Sequence, residues 1–419
     1  MKTNTLSQKT RRANFGRAVV IGGSLTGLAV ARVLADYFAK VIVIERDRLP
    51  LTPEFRRSVP QARHAHLLLP TGQHILEHQF PGLTDRLLAA GATIVDQAKE
   101  KVDVGDGAWF NDISALISSR PLLEAALLAQ LSVHANVQLI QDYEVERLAV
   151  NPAKTRVTGV HLRGHRRSIV PQKFLAADLV VDTSGRGSHA AQWLAELGYT
   201  PPAETIVHAF SGYTSRIYQR PDDVSQEWIM LRIKRNPPDQ TRGGMIIPLE
   251  GNRWQVTLVG MAHDYPPHDE AGFISFAKSL PSPLIYEMIT SAEPISELYS
   301  YRGTQNRLRH FESLPRYLEG FLVSGDAVCT LSPVHAQGMS AAAMSSQTLA
   351  HVLAKHQRSD LMGLAQTFQK QLRHDIDKIW QYVTDSDKRW PATEVRKIAP
   401  AKLTAKIKPP FQAAVPQMA

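Results

Sequence analysis

The stretch Ala18-Val19-Val20-Ile21-Gly22-Gly23-Ser24-Leu25-Thr26-Gly27 decides the fold. Four consecutive apolar residues suit a short strand buried on both faces. A glycine-rich turn follows, and then an Ala/Leu-rich helix predicted to run to about Phe38. Glycine, with no Cβ, lets the chain turn sharply, lets a pyrophosphate approach the backbone and lets a helix pack closely on a sheet. The start of the helix offers free N–H groups and a partial positive charge to an anion. Ser24 stands where the G-x-G-x-x-G pattern has its middle glycine, and it is small enough to keep the approach open while adding a hydroxyl. Val41–Glu45 reads as a second buried strand, which completes a βαβ unit. Glu45 lies 18 residues after Gly27, where an acid suits a ribose 2′-hydroxyl and repels a 2′-phosphate. The unit therefore fits FAD or NAD rather than NADPH. Its candidate contacts are Gly22, Gly23, Ser24, Leu25, Thr26, Gly27, Glu45 and Arg46.

Downstream, residues 51–66 are rich in Pro, Arg and His and read as loop, and a helix is predicted at about 71–80. Pro121–Leu131 reads as a helix with proline in its first turn. Val137–Ile140, Val157–Leu162 and Leu179–Asp182 read as strands. From about 204 to 300 aromatic and β-branched residues rise around Ile229–Ile233, Met245–Pro248 and Trp254–Val259, between turn signals at Asn236-Pro237-Pro238 and Glu250-Gly251-Asn252. That texture predicts an antiparallel sheet, followed by a helix at Phe273–Leu280. Phe321-Leu322-Val323 is again a buried strand, leading into Gly325-Asp326 and a helix from about Gly338 to Leu353. Two further helices are expected within 361–390.

The fold class is thus α/β (α+β overall): a Rossmann-like dinucleotide-binding domain with an inserted antiparallel-sheet domain. The expected FAD-binding domain is discontinuous, over 16–75, 110–203 and 301–355. The substrate domain covers 76–109 and 204–300, and 356–419 forms C-terminal helices and a basic tail.

Two later segments sharpen the chemistry. An acid just after a buried strand, Asp326, can accept hydrogen bonds from a polyol such as ribityl. The loop through Pro333 to Gln337-Gly338-Met339 feeds a helix whose free amides face the pyrimidine edge of a flavin and stabilise negative charge there. Asp178–Ser188 is a buried strand running into a Gly/Ser turn, again suited to phosphate approach. Together these turn "FAD or NAD" into FAD, bound non-covalently.

In this order the motifs resemble the para-hydroxybenzoate-hydroxylase superfamily of FAD-dependent monooxygenases, over about residues 17–355. A narrower similarity is to the bacterial branch of polyether-type epoxidases and polyprenyl-methoxyphenol hydroxylase relatives. It is carried by Arg56–His66, Pro248–Trp254 and Asp264-Tyr265-Pro266-Pro267. The resemblance implies that Arg56 and Arg120 contact FAD phosphate or ribityl, with Arg57 a rival to Arg56. It also implies chemistry through a flavin C4a-hydroperoxide formed from O2, with NADPH or NADH, or a separate flavin reductase, as electron source. The chain departs from the family at His335-Ala336, where Tyr-Gly is common, and at Thr183-Ser184-Gly185, where the classical hydroxylases have Ala-Asp-Gly.

The expected reaction is hydroxylation or epoxidation of a small apolar aromatic, polyketide or terpenoid metabolite. The substrate would be lined by the 204–300 sheet, with Trp228, Met230, Met245 and Met261, and by the helix near 71–80. A flavin-dependent alkene reductase of the geranylgeranyl-reductase type and a non-catalytic FAD-binding protein are the competing expectations. A halogenase Trp-x-Trp-x-Ile-Pro signature would need tryptophan at Gly243 and Met245, and neither is one. No acid–base residue is forced by this chemistry; His64, His66 and His335 are the histidines placed to serve.

Composition bounds the rest. The chain has 419 residues, 43% hydrophobic and 21% charged, ordinary for a globular protein with a large core. Its single cysteine, Cys329, excludes a disulfide framework and a cysteine metal site, and no metal site is expected. The net charge of +9 is concentrated toward both ends, at Lys2, Lys9, Arg11, Arg12 and Arg17 and at Arg396, Lys397, Lys402, Lys406 and Lys408. Solvated tails account for it, and no aromatic-rich basic patch points to nucleic acid. No apolar run reaches the ~18 residues that span a bilayer. Arg11-Arg12 before an apolar stretch resembles a twin-arginine signal, but that stretch serves better as strand, turn and helix, so a cytoplasmic location is expected.

Overall fold

The computed structural model describes residues 15–164, 173–222, 229–356 and 360–400. Lys2, Lys9, Arg11, Arg12, Trp228, Lys402, Lys406 and Lys408 lie outside the described residues.

Five parallel strands form the central sheet, in the order Phe321–Val323, Leu179–Asp182, Phe15–Ile21, Phe38–Ile44 and Val137–Ile140. Their continuous apolar runs follow from burial on both faces: Val19, Val20, Val41, Val43, Val180, Val181 and Leu322 are fully buried. The helix Leu25–Ala35 buries residues all round, because it is clamped between this sheet and the helix Gly338–Lys355. It ends at Ala35 rather than near Phe38. Phe38 instead opens the second strand and packs its ring 5.2 Å from that of Phe15. An aromatic residue buried in a strand competes successfully with continuation of the helix.

The second sheet is antiparallel and has seven strands. Its order is Tyr299–Tyr301, Gly212–Gln219, Arg253–Gly260, Arg242–Leu249, Leu231–Ile233, Ala108–Phe110 and Val102–Asp103. The helices Glu270–Lys278 and Leu284–Thr290 cover one face, with Phe273, Phe276 and Ile285 buried against Trp254, Val256 and Leu258. The segment 76–109 is divided between the two regions. Phe80, Leu83 and Leu87 belong to the main core, whereas 102–110 extends the antiparallel sheet.

The region 361–390 holds one helix rather than two. Leu364–Lys388 begins at Gly363, whose φ is +78°, and runs for 25 residues. Leu364, Phe368, Leu372, Ile376, Trp380, Val383 and Asp387 form an unbroken buried stripe at three- and four-residue spacing, with no Gly or Pro to interrupt it. The chain then adds a strand, Glu394–Ile398, at the edge of a four-stranded sheet beside Glu204–His208. All five of its residues are exposed, so it carries no burial pattern from which a strand could be read.

Candidate active site

Three turns converge at the C-terminal ends of the parallel strands. Gly22 has φ +99°, a conformation glycine alone adopts without strain. A Cβ on Gly27 would lie 1.8 Å from the Gly22 carbonyl oxygen, so this glycine sets the approach of helix to strand. Thr183, after the strand Leu179–Asp182, donates its hydroxyl to the Ile21 carbonyl at 2.7 Å. Gly325, with φ +62°, faces Thr26 so closely that a Cβ would lie 2.6 Å from it. The first and last glycine motifs therefore touch. Asp182 is spent internally: its oxygens accept from the hydroxyls of Ser184 and Ser188, both at 2.6 Å, and so fasten the middle turn.

Ser24 occupies the N-cap position of the helix Leu25–Ala35, yet its hydroxyl does not cap the helix. It donates to Glu124 Oε1 at 2.6 Å and accepts from Arg120 Nη2 at 3.0 Å. The helix's leading amides are thus left without a side-chain cap, as an anion site at a helix N-terminus requires. Glu124 is the centre of a buried cluster. It accepts from Arg120 Nε at 2.8 Å and from Arg56 Nη2. Burial opposes its charge, but the charges of Arg120 and Arg56 and the bond from Ser24 prevail and hold its carboxyl down at about 2. Two guanidinium groups around one carboxylate leave positive charge over beside the glycine turn. Arg56 Nη1 is buried with no hydrogen-bond partner, and Glu45 Oε2 lies 3.6 Å from it. Arg57 is exposed, which separates the two neighbouring arginines.

Glu45 is buried and accepts from the amides of Gly23 at 2.7 Å and Asp47 at 3.0 Å, leaving lone pairs toward the cavity it lines. Asp326 lies on the same wall. Burial raises its carboxyl pKa, and the charges of Arg186 and Arg120 oppose that rise. Gln337, Gly338 and Met339 also line the cavity, at the start of a helix with no side-chain cap. A Cβ at Gly338 would meet nothing within 4 Å, so this helix end stands open. Ala336 just before it keeps a left-handed φ of +55°, although it is not glycine.

Of the residues singled out from sequence, Gly22, Ser24, Thr26, Glu45, Arg46, Arg56, Arg120, Asp326, Gln337, Gly338 and Met339 line one cavity of ≈ 1120 Å³. Gly23, Leu25 and Gly27 do not; they form the turn and pack the helix behind it. The cavity is larger than the ~300–1,000 Å³ of an ordinary ligand pocket. The residues fit FAD on observations of the chain itself: the orphaned Arg56 Nη1, two uncapped helix starts, and the acids Glu45 and Asp326 on the cavity wall.

The cavity continues to the antiparallel sheet, where Tyr213, Met245, Thr257, Val259 and Met261 line it. The helix Pro70–Gln79 does not, contrary to expectation. It packs on the helix Gly338–Lys355, with Gln79 bonded to Ser346 at 2.9 Å. Met230 is likewise core and absent from the cavity wall. His64 and His66 also line the cavity. Burial, with the charges of His66 and Arg63, pushes His64 down to about 3, and its Nδ1 meets Ser215 Oγ at 2.9 Å. Burial and Arg120 push His66 to about 4, despite its bond to the His64 carbonyl. His335 lines the cavity and donates from Nε2 to Asp387 Oδ1 at 2.6 Å. Sequence reasoning missed Glu124, Tyr213 and Asp387. Glu124 had one signal, its i,i+4 spacing from Arg120. Among the described residues no group of His, Cys, Asp and Glu could hold a metal ion, and no helix is long and apolar enough to cross a membrane.

The family model described as "FAD binding domain" matches residues 17–374. Protein Rv3254 of Mycobacterium tuberculosis (strain ATCC 25618 / H37Rv) is 32% identical over 360 residues, covering 83% of this chain and 74% of that protein. Among solved structures, 2-methyl-3-hydroxypyridine-5-carboxylic acid oxygenase is similar with a TM-score of 0.63 and 18% identity, over 89% of this chain and 91% of that one. The myxobacterial chondrochloren halogenase CndH gives a TM-score of 0.62 and 18% identity, over 88% and 82%. PqsL of Pseudomonas aeruginosa, described as a probable FAD-dependent monooxygenase, gives 0.59 and 16%, over 89% and 94%. At these identities the solved structures speak to the fold alone. The family match covers most of the chain and coincides with the three converging turns: this chain belongs to the FAD-binding domain family.

Proposed function

We propose that the protein is an FAD-dependent monooxygenase that inserts one atom of O2 into a small, largely apolar aromatic, polyketide or terpenoid metabolite, with NADH or NADPH as electron donor. The observation that carries the reading is the continuity of one cavity, from the glycine turn and Arg56–Glu124–Arg120 cluster to an apolar sheet wall of Met245, Val259 and Met261. Bound FAD supplies the redox chemistry and the activation of dioxygen. The chain's own residues do the rest. The uncapped helix starts at Leu25 and Gly338 would hold negative charge of the bound cofactor, the first that of its pyrophosphate and the second that of its reduced ring. Arg56 and Arg120 would clamp the phosphates, Glu45 and Asp326 would accept from hydroxyls, and the apolar sheet wall would keep water from the reacting face.

The halogenases share the fold, but a tryptophan at position 243 has no room here. A Cβ at Gly243 would already lie 2.7 Å from the Ile233 carbonyl oxygen and 2.8 Å from Arg235 Cγ. The test is incubation of holoprotein with NADH or NADPH and a metabolite panel under 18O2. One labelled oxygen per turnover is expected in the product. Alkene reduction that proceeds without oxygen would replace this reading with a reductase, and absence of any nicotinamide oxidation would favour a binding protein.

A further inference from the structure

The basic residues at the start of the chain have no part in the FAD cavity. Of Lys2, Lys9, Arg11, Arg12 and Arg17, the last lies within the described residues. Arg17 stands in the strand Phe15–Ile21, at the end of the parallel sheet away from the glycine turn, and lines a second cleft of ≈ 550 Å³. Lys40 and Arg156 line the same cleft. Around the cations the lining is small and apolar, from Ala39, Val157, Ala176 and Ala177. The volume is within the ~300–1,000 Å³ of a small-molecule pocket.

Arg17 and Lys40 are direct partners in the register of neighbouring parallel strands. Such partners project from one face of a sheet, and like charges side by side there repel. No acid relieves the repulsion. Among the described residues, none of Arg17, Lys40 and Arg156 has a carboxylate within ion-pair distance. Two acids close by are turned to backbone amides instead. Asp178, the one acid of the lining, accepts from the Arg17 amide at 2.7 Å through Oδ2, and a Cβ on Gly16 would lie 2.4 Å from that oxygen. Glu319, bridged to Arg156 through the backbone, accepts from the Gly363 amide at 3.0 Å. Arg17 itself donates from Nη1 to the Ala176 carbonyl at 3.1 Å, while its Nε is buried with no hydrogen-bond partner. A cationic donor left unmade in this way is unfavourable.

Three cations against one acid, in a cleft of small side chains, suit a compact anion of more than one charge. A phosphate group has that charge near neutrality and accepts from several donors at once. The fourteen residues before Phe15 carry four cations and no acid, so that stretch supplies no anion of its own. Five residues separate Arg17 from Gly22 and Lys40 from Glu45, about 16 Å of strand, so a ligand here is clear of the FAD cradle. We propose that this cleft binds the phosphate group of a small molecule, at a site separate from the FAD cavity and independent of the oxygenase chemistry.

The test uses protein saturated with FAD, so that the glycine turn is occupied. It is titrated calorimetrically at fixed ionic strength with inorganic phosphate, pyrophosphate and phenyl phosphate. Saturable binding is expected, weakened roughly 10- to 100-fold in the double variant K40Q/R156Q. Lys355→Gln, which removes an exposed cation elsewhere, should bind as the wild type does. Melting points give a second readout that a merely structural role would not move. Without anion, K40Q should melt above the wild type, because the Arg17–Lys40 repulsion is gone. With saturating pyrophosphate the order should reverse, because the wild type gains more from binding. No saturable binding, unchanged affinity in the double variant or an equal loss in K355Q overturns the proposal. So does a K40Q melting point below that of the wild type without anion. If the double variant does not fold, K40Q and R156Q decide singly by the same criteria. Tighter binding of phenyl phosphate than of inorganic phosphate identifies an organic ester as the source, and equal binding identifies the free ion; either sustains the phosphate site.

Discussion

Glu124 shows how much of this site rests on one side chain. Its carboxylate sits between Ser24, Arg56 and Arg120 and is itself mostly buried. It keeps two guanidinium groups in place at the glycine turn before any cofactor arrives. Removing one partner of a buried charge cluster leaves the others uncompensated, at a cost of about 3–5 kcal/mol. The sign of its pH dependence follows from its depressed pKa. A carboxyl held near 2 in the folded protein, against 4.5 ordinarily, contributes stability that is complete above about pH 4.5 and is lost as pH falls toward 2. We therefore expect Glu124→Gln to lower the urea midpoint of the apoprotein at pH 7. The gap between wild type and variant should narrow steadily between pH 4.5 and the acid limit of folding. A gap that stays constant with pH would show that the cluster is not held by this charge.

At the scale of elements, what was legible in the sequence was what burial writes into it. The inner parallel strands are buried on both faces, so apolar runs at Ala18–Ile21, Val41–Ile44 and Leu179–Val181 announced them, whereas the edge strand Val137–Ile140 is only partly buried. The strand Glu394–Ile398 was not legible, because it is exposed throughout and exists through its ladder to Glu204–His208. The helix Leu364–Lys388 was read as two, although its buried stripe is continuous and packs chiefly on the helix just before it, Gly338–Lys355. That the glycine turn, Glu45, Arg56, Arg120 and Asp326 share one cavity agrees with the sequence reading; Glu124 and Asp387 were not legible, since Ser24, Arg56, Asn306 and His335, which give them their place, are distant in sequence. The glycine turn makes an element-level prediction. Gly27→Ala places a Cβ where the Gly22 carbonyl oxygen stands and must push the helix off the strand. It should cost roughly 3 kcal/mol and lower FAD retention on purification. Gly187→Ala, where a Cβ meets nothing within 4 Å of protein, is the control for stability alone and should leave the denaturation midpoint unchanged. FAD content and the denaturation midpoint measure the two effects. Equal behaviour of the two variants would remove the close-packing role of Gly27.

Over the whole molecule, the cavity is closed by parts of the chain that are far apart in sequence. Tyr382, Ser386, Arg389 and Trp390, from the end of the long helix and just beyond it, line it opposite the first glycine turn. The fastening point is Asp387, which is 1% exposed. Its carboxylate accepts from His335, in the loop before Gly338, and from Asn306, whose own carbonyl oxygen accepts from the Ser332 amide at 2.7 Å. One acid thus ties the last helix to both ends of the loop that enters the helix Gly338–Lys355, and Ala336 within that loop is held in its left-handed conformation. Asp387→Ala leaves two buried donors without their acceptor, each worth about 1–3 kcal/mol. The expected result is a lowered thermal midpoint with FAD still bound through the distant glycine turn, together with a rise in flavin fluorescence as the loop 332–337 loosens around the ring. Asp387→Asn keeps one acceptor and should fall between wild type and D387A on both measures. If D387A kept the wild-type midpoint and flavin fluorescence, the C-terminal helix would be a cover on the domain and not part of the device that shapes the cavity.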